Sequence, residues 1–298
     1  MWVFFALSSA LFLGMYDIFR KVSLKDNPVI PVLFLASATG AFIFLIPVIL
    51  SFSGYIPEDN LFYVPPVTWK MHGLFFIKSV LVGSSWFLAY TAISMLPLTI
   101  VIPIRSTGPV WTLVGAMLIY SEKFSQLQWI GILTVLFFFY LFSLAGKHEG
   151  INFRKNKWIF YIVAATLLGS ASSLYDKYLL ANYSRMAMQS WFSIYMVIVL
   201  LPFVFFIWFP KRKQNKSFRL SPYIFLIGIF LSVSDFLYFY ALSYPESLLA
   251  VVSVMRRSSV IISFISGALL FHEGNMRKKA IALAGILIGV ILLVAGTI

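Results

Sequence analysis

The segment SSWFLAYTAISMLP (residues 84–97) recurs later in the chain as VSDFLYFYALSYP (residues 233–245), with one residue inserted in the first copy. Two further segments repeat in the same order: VGAMLIYSE (114–122) as SGALLFHE (266–273), and GILTVLFFFYLFSLAG (131–146) as GILIGVILLVAG (285–296). Three blocks in one order, each containing a proline, glutamate or glycine, indicate that the second half of the chain repeats the first.

The composition is that of a membrane protein. Hydrophobic residues form 61% of the 298 residues and charged residues only 11%, whereas soluble domains average about 25% charged residues. Ten apolar segments are each long enough to cross a hydrocarbon layer of about 30 Å as a helix. The sequence lacks the period-2 alternation that is typical of barrel strands. We therefore predict an all-α polytopic membrane protein with ten transmembrane spans, at about 2–19, 28–52, 72–95, 98–120, 127–146, 157–181, 187–209, 221–243, 247–271 and 280–297.

The repeat divides these spans into two units of five. Because five is odd, the second unit must enter the membrane from the opposite side, and inverted repeats of this kind build transporters with a site at mid-membrane between the halves. The predicted units are residues 1–146 and 157–298, joined by a basic connecting loop at 147–156.

The basic residues lie mostly in short loops, so the net charge of +13 indicates membrane anchoring and not nucleic-acid binding. Fifteen Lys and Arg residues fall in the loops on one face and three on the other, which predicts that both termini lie outside the cytoplasm. The larger set is Arg20, Lys21, Lys25, Lys147, Arg154, Lys155, Lys157, Lys211, Arg212, Lys213, Lys216, Arg219, Arg277, Lys278 and Lys279; the smaller is Lys70, Lys123 and Arg185.

Three arginines lie deep within apolar spans: Arg105 in span 4 and the adjacent Arg256 and Arg257 in span 9. A charged side chain near the centre of a membrane helix costs about 2.5–3.5 kcal/mol on insertion scales, so such residues mark functional sites. At about 1.5 Å per residue, Arg105 is roughly 10 Å and Arg256 roughly 13 Å into its span. We predict that these side chains hold an anion, with cation pairing to an acid or to backbone carbonyls as the structural alternative.

Other deep charged residues modify this expectation. Lys78 in span 3 adds a cation or extends toward the loop, and Asp235 in span 8 is the obvious structural partner for the arginine pair. Asp17 precedes Arg20 by three residues and Asp176 is adjacent to Lys177, so a helix-end ion pair explains each acid at least as well as a binding role does. The remaining deep positions then carry a surplus of three positive charges.

Aromatic residues in the repeated segments are further candidates for substrate contact. Trp86, Tyr90 and Tyr240 could stack on a substrate or simply pack between helices, and Tyr16 and Tyr175 occupy equivalent places in spans 1 and 6. The chain has no cysteine, its three histidines have no ligand spacing, and we find no catalytic arrangement. We therefore expect no metal, no cofactor and no enzymatic activity.

The chain resembles the drug/metabolite transporter superfamily, in particular its EamA-like ten-helix members. The resemblance rests on the five-plus-five repeat and on Gly115–Ala116 followed by Glu122, repeated as Gly267–Ala268 followed by Glu273. It implies a carrier of small polar metabolites that works by alternating access. Many members keep both termini in the cytoplasm, in conflict with the loop charges.

Within that superfamily the basic residues resemble those of the sugar-phosphate and nucleotide-sugar translocators. Those carriers place a basic residue in helix 4, four positions before a proline, and a Lys-Arg pair in helix 9; here Arg105 precedes Pro109 by four, and Arg256–Arg257 occupy the second place. The chain departs at Gly108, where the translocators carry an acidic residue.

These features predict an exchanger of small organic anions, either phosphorylated or carboxylated, in the inner membrane of a prokaryote, as a monomer or homodimer. An exporter of amino acids or other zwitterionic or amphipathic metabolites is the alternative, and an intramembrane enzyme is a more distant one.

Overall fold

The computed structural model describes residues 1–25, 27–96, 104–105, 107–144, 156–212, 217–259, 261–262 and 276–296. Within these ranges the regular secondary structure is helical, with no strand. The ten helices, numbered in chain order, are α1 (Trp2–Leu24), α2 (Val29–Phe52), α3 (Trp69–Met95), α4 (Gly108–Tyr120), α5 (Gln126–Leu144), α6 (Lys157–Asn182), α7 (Arg185–Phe203), α8 (Pro222–Leu242), α9 (Leu249–Arg256) and α10 (Met276–Ala295). One helix falls in each predicted span, which confirms the all-α fold class.

Most of the predicted connecting loop at 147–156 and the repeated Glu273 lie outside the described residues.

Local sequence explains where several helices begin. The side chains of Thr68, Asn156, Ser184 and Ser221 each accept a hydrogen bond from a backbone N–H in the first turn of the helix that follows. These bonds satisfy donors that have no partner inside the helix. The polar residues between the apolar spans therefore act as N-caps for α3, α6, α7 and α8.

Within the described ranges, six helical segments are long and apolar enough to cross a membrane, and the segments in α4, α5 and α10 are apolar but shorter. Large apolar side chains point outward along the bundle, among them Phe4, Trp69, Leu118 and Phe206, each more than two-thirds exposed. A hydrocarbon environment covers such surface, and helices satisfy their own backbone hydrogen bonds within it. The chain is an integral membrane protein. The six long segments are Trp2–Leu24, Val29–Phe52, Trp69–Ala89, Lys157–Asn182, Arg185–Trp208 and Pro222–Leu242.

The packing of the helices follows a two-fold rule. Helix α1 packs against α8, and α3 against α6; α2 packs against α8, and α7 against α3; α4 packs against α6, and α9 against α1. Exchanging every helix with the one five places away in the chain converts α1–α8 into α6–α3. The same exchange converts α2–α8 into α7–α3, and α4–α6 into α9–α1. The pairs α2–α7, α4–α9 and α5–α10 are also in contact and convert into themselves. The two halves are therefore interlocked inverted repeats.

The repeated segments make equivalent hydrogen bonds. Ser85 on α3 donates to the backbone oxygen of Ala165 on α6 at 2.7 Å. Ser234, its counterpart on α8, donates to the backbone oxygen of Ser9 on α1 at 2.9 Å. Hydroxyls that bond across helices are a common means of holding membrane helices together, and here the repeat places one at each of two equivalent contacts.

Glycines allow close approach between α5 and α10. A Cβ at Gly131 on α5 would lie 2.8 Å from the backbone nitrogen of Leu293, and one at Gly289 on α10 would lie 2.8 Å from that of Val135. Neither distance is compatible with a side chain, so small residues set the spacing between α5 and α10, as at other membrane helix interfaces.

Candidate substrate-binding site

The predicted spans 4 and 9 are both interrupted next to their deep arginines. Helix α4 begins at Gly108, shortly after Arg105, with Pro109 in its first turn. Helix α9 ends at Arg256, and a turn at Arg257 and Ser258 follows. The predicted spans 98–120 and 247–271 are thus not single continuous helices. Broken helices at membrane depth are tolerated where they are buried in protein or line a cavity, and they often form ion and substrate sites.

Arg257 points toward the beginning of α4. A Cβ at Gly108 would lie 3.3 Å from the Nη2 atom of Arg257, and the same position is 3.9 Å from the hydroxyl of Ser170 on α6. The charges of Arg105, Arg256 and Asp17 are within electrostatic range of Arg257. In the part of the chain that the structure describes, no carboxylate is close enough to form an ion pair with Arg257.

Arg256 forms an ion pair with an acid, which was the structural alternative to anion binding in the sequence analysis. Its Nη2 atom donates to the carboxylate of Asp235 and, at 3.2 Å, to the hydroxyl of Ser234. The guanidinium also lies 4.3 Å from the ring centroid of Tyr238, a favourable cation–π distance. Successive residues on a helix diverge by about 100°, which explains why Arg256 binds α8 while Arg257 points at α4.

Lys78 is buried and forms an ion pair with Asp176 on α6. Its ammonium also lies 4.3 Å from the ring of Phe192 and 4.9 Å from that of Phe239. The interpretation of Asp176 as the partner of the adjacent Lys177 is therefore wrong, because the 100° step between neighbours directs the two side chains to different helices. Lys78 does not extend toward the loop either.

The charge balance of the core changes accordingly. The sequence predicted a surplus of three positive charges from Lys78, Arg105, Arg256 and Arg257 against Asp235. Because Asp176 is buried and pairs with Lys78, the surplus among these residues falls to two. In the part of the chain that the structure describes, Arg257 has no carboxylate within ion-pair distance, and Arg105 is exposed.

Lys177 contributes to a separate contact with Glu122. The carboxylate of Glu122 accepts hydrogen bonds from the backbone N–H groups of Leu249 at 2.7 Å and Ala250 at 3.2 Å, so it caps the beginning of α9. Lys177 lies 3.5 Å from the same carboxylate and donates to the backbone oxygen of Ser247. Asp17, in contrast, pairs with Arg20 at 2.7 Å as predicted.

A crevice lies between α2, α3, α7 and α8. Its lining includes Trp86 and Asp235, together with Gln189, Ser37 and Ser193. Asp235 connects the crevice to Arg256, its partner in the ion pair. The structure brings two of the predicted site residues, Trp86 and Asp235, to one cavity.

The predicted aromatic residues have different surroundings. Tyr240 packs against Phe5, with ring centroids 4.4 Å apart, and Arg185 lies over its ring. Tyr175 donates its hydroxyl to the backbone oxygen of Leu74. Tyr16 lines a second, smaller pocket and accepts a hydrogen bond from Arg20 at 3.2 Å. The side chain of Tyr90 lies outside the described part of the chain.

Sequence reasoning missed Gln189 altogether and missed the structural role of Glu122. Gln189 is 1% exposed and lies in the crevice; an amide within the apolar segment around it was an available signal. The role of Glu122 as the cap of α9 required knowledge of the α4–α9 contact, although Glu122 had been noted as part of the repeated pattern.

Comparison with known proteins gives a consistent result. No curated protein sequence matches the chain. Solved structures that match include a crystal structure of a protein that is 11% identical in sequence, with a TM-score of 0.73 and coverage of 98% of both chains; this similarity shows the fold. The model of the EamA-like transporter family matches twice, at residues 1–144 and 156–295. These two matches cover nearly the whole chain, one in each half, and the chain therefore belongs to the EamA-like transporter family.

Proposed function

We propose that this membrane transporter of small molecules exchanges organic anions, phosphorylated or carboxylated, by alternating access. The anionic group binds where α4 and α9 are interrupted, at Arg257 and Arg105. Two units, residues 1–146 and 157–298, move relative to one another around this point.

The observation that carries the proposal is the difference between the two adjacent arginines. Arg256 is held by Asp235, whereas Arg257 is directed at Gly108 with no ion-pairing carboxylate among the described residues. A guanidinium has a planar fork of donors that binds two oxygens of a phosphate or carboxylate. Arg257 is thus the member of the pair available to a ligand.

The surplus charge also accounts for exchange. Closing the site around Arg257, which has no carboxylate partner among the described residues, removes water from its guanidinium, which is costly. A bound anion neutralises this cation and lowers that cost, and a ligand shifts a conformational equilibrium only through its differential affinity for the states. Anion binding therefore favours the transition, and an empty carrier changes state slowly.

One observation favours the alternative of a zwitterionic substrate. Asp235 lines the crevice and pairs with Arg256, and the two side chains carry the two charges that an amino acid requires. In that case the ligand must separate an existing ion pair, whereas an anion at Arg257 displaces no described carboxylate. The anion proposal is therefore preferred.

A thermal-shift screen of the purified protein tests the proposal, with inorganic phosphate, phosphate esters, organic acids, amino acids and hydrophobic cations as probes. A ligand at about 100 times its dissociation constant stabilises the protein by about 2.7 kcal/mol. We expect anions to stabilise the wild type and Arg257→Gln and Arg105→Gln to abolish the response. Arg212→Gln, an exposed arginine far from the site in sequence, is the control. Stabilisation by amino acids or cations that survives both substitutions would contradict the proposal.

We also propose that both termini lie outside the cytoplasm of a prokaryotic cell. The absence of native cysteine allows single cysteines to be placed at Ser53, between α2 and α3, and at Ser217, between α7 and α8, both exposed. A membrane-impermeant maleimide applied to intact spheroplasts should label Ser53→Cys and spare Ser217→Cys. The reverse pattern means that the termini are cytoplasmic.

A further inference from the structure

The crevice lies on the two-fold relation between the halves. Ser37 and Ser193 are each the ninth residue of their helix, α2 and α7, and both line the crevice. Trp86 and Asp235 occupy equivalent positions in the repeated segments of α3 and α8, and both line it as well. Substrate sites of inverted-repeat transporters lie at the interface of the repeats, and helices of both halves line this crevice.

The side chains at equivalent positions of the two halves differ in polarity. The counterpart of Asp235 is Trp86, and the counterpart of Gln189 is Leu33, since each is the fifth residue of its helix. The second half thus contributes an acid and an amide to the crevice, whereas the first contributes the Trp86 indole, and Leu33 lines the smaller pocket beside Tyr16. An asymmetric lining within a symmetric frame can distinguish one end of a ligand from the other.

Gln189 has an unused hydrogen-bond acceptor. Its Nε2 atom donates to the backbone oxygen of Ser232 at 3.2 Å, which fixes the amide orientation. Its Oε1 atom is buried and has no hydrogen-bond partner. Buried polar atoms are normally satisfied by protein or water, so an unsatisfied one in a cavity wall is unusual and calls for a partner.

We infer that Gln189 is a specificity-determining residue, whose Oε1 atom accepts a hydrogen bond from a hydroxyl or amino group of the substrate. Asp235 offers a second acceptor in the same crevice, and the Trp86 indole contacts the apolar side of the ligand. The inference deepens the proposed function, because the crevice adjoins the arginine pair through Asp235 and Arg256 and receives the end of the ligand that carries no anionic group. The substrate class is then a small anion that also bears a hydrogen-bond donor.

Two matched ligand pairs test this inference separately from the anion proposal. Glycerol 3-phosphate and propyl phosphate differ in hydroxyl groups, and so do serine and alanine. Affinities are measured by thermal shift for the wild type and for Gln189→Leu, which introduces the residue of the equivalent position in α2. Inorganic phosphate serves as the probe of Arg257 alone, and Gln214→Leu, at a position between α7 and α8 in the sequence, is the control substitution.

We expect the wild type to bind the hydroxyl-bearing member of a pair about tenfold more tightly, the size of one well-formed hydrogen bond. Gln189→Leu should remove this preference and leave the response to inorganic phosphate unchanged. Phosphate binding without a hydroxyl preference, or a preference that persists in Gln189→Leu, overturns the inference and leaves the anion proposal standing. A Gln189-dependent preference for serine with no response to any phosphate supports the role of Gln189 and overturns both a phosphorylated substrate and the substrate class inferred here. No response to either series overturns the inference.

Discussion

Replacing Lys78 with methionine is expected to destabilise the protein by about 3–5 kcal/mol, the cost of leaving one partner of a buried ion pair alone. The side chains of Lys78 and Asp176 are only 2% and 6% exposed, so water cannot replace the lost ammonium. The substitution also removes the cation from the rings of Phe192 and Phe239. Equilibrium unfolding in mixed detergent micelles measures the change.

The double variant Lys78→Met/Asp176→Leu separates the cost of an unpaired charge from that of lost packing. Replacing both partners of a buried pair by apolar residues of similar volume is often close to neutral, so the double variant should recover most of the lost stability. Lys123→Met, at an exposed position after α4, is the control and should resemble the wild type. A double variant as unstable as Lys78→Met would show that the ion pair is not the source of the effect.

Gly108→Asp is expected to weaken phosphate binding by at least about tenfold, equivalent to about 1.4 kcal/mol. A Cβ at this position would be 3.3 Å from the Nη2 atom of Arg257, so an aspartate carboxylate could pair with the guanidinium and compete with the ligand. The atom approached is the end of a flexible side chain, which can move by a few tenths of an ångström. Isothermal titration with inorganic phosphate measures the affinity.

Gly108→Ala and Gly108→Asn are the matched controls for this substitution. Alanine tests the steric effect of a Cβ, and asparagine adds the volume of aspartate without its charge. Both should bind phosphate within a few-fold of the wild type. If alanine weakens binding as much as aspartate does, space at Gly108 and not charge at Arg257 determines affinity.

The repeat allowed most of the fold to be predicted from sequence. The order of the blocks at 84–97, 114–122 and 131–146 and their counterparts implies five helices repeated once, and the observed pairs of packed helices follow this two-fold rule. Pro103 and Pro109 on either side of Arg105 are a sequence signal for the interruption of span 4, because proline removes a backbone hydrogen bond from a helix. The interruption of span 9 carries no such signal, because the turn at Arg257 and Ser258 contains neither glycine nor proline.

The ion pairs of the site were harder to predict. Asp235 and Arg256 are 21 residues apart and were recognised as possible partners, and the structure pairs them. Lys78 and Asp176 are 98 residues apart, and Asp176 has a lysine beside it in sequence. Neighbours on a helix point in different directions, so proximity in sequence favoured the wrong partner. Only the contact between α3 and α6 identifies the right one.

The most direct test of anion exchange is the uptake of radiolabelled phosphate into proteoliposomes that contain the purified protein. We expect rapid uptake when the vesicles are loaded with unlabelled phosphate or a phosphate ester, slow uptake when they are empty, and no exchange with Arg257→Gln. Uptake that is unaffected by Arg257→Gln, or exchange of amino acids with none of phosphate, phosphate esters or organic acids, would contradict an anion site at Arg257.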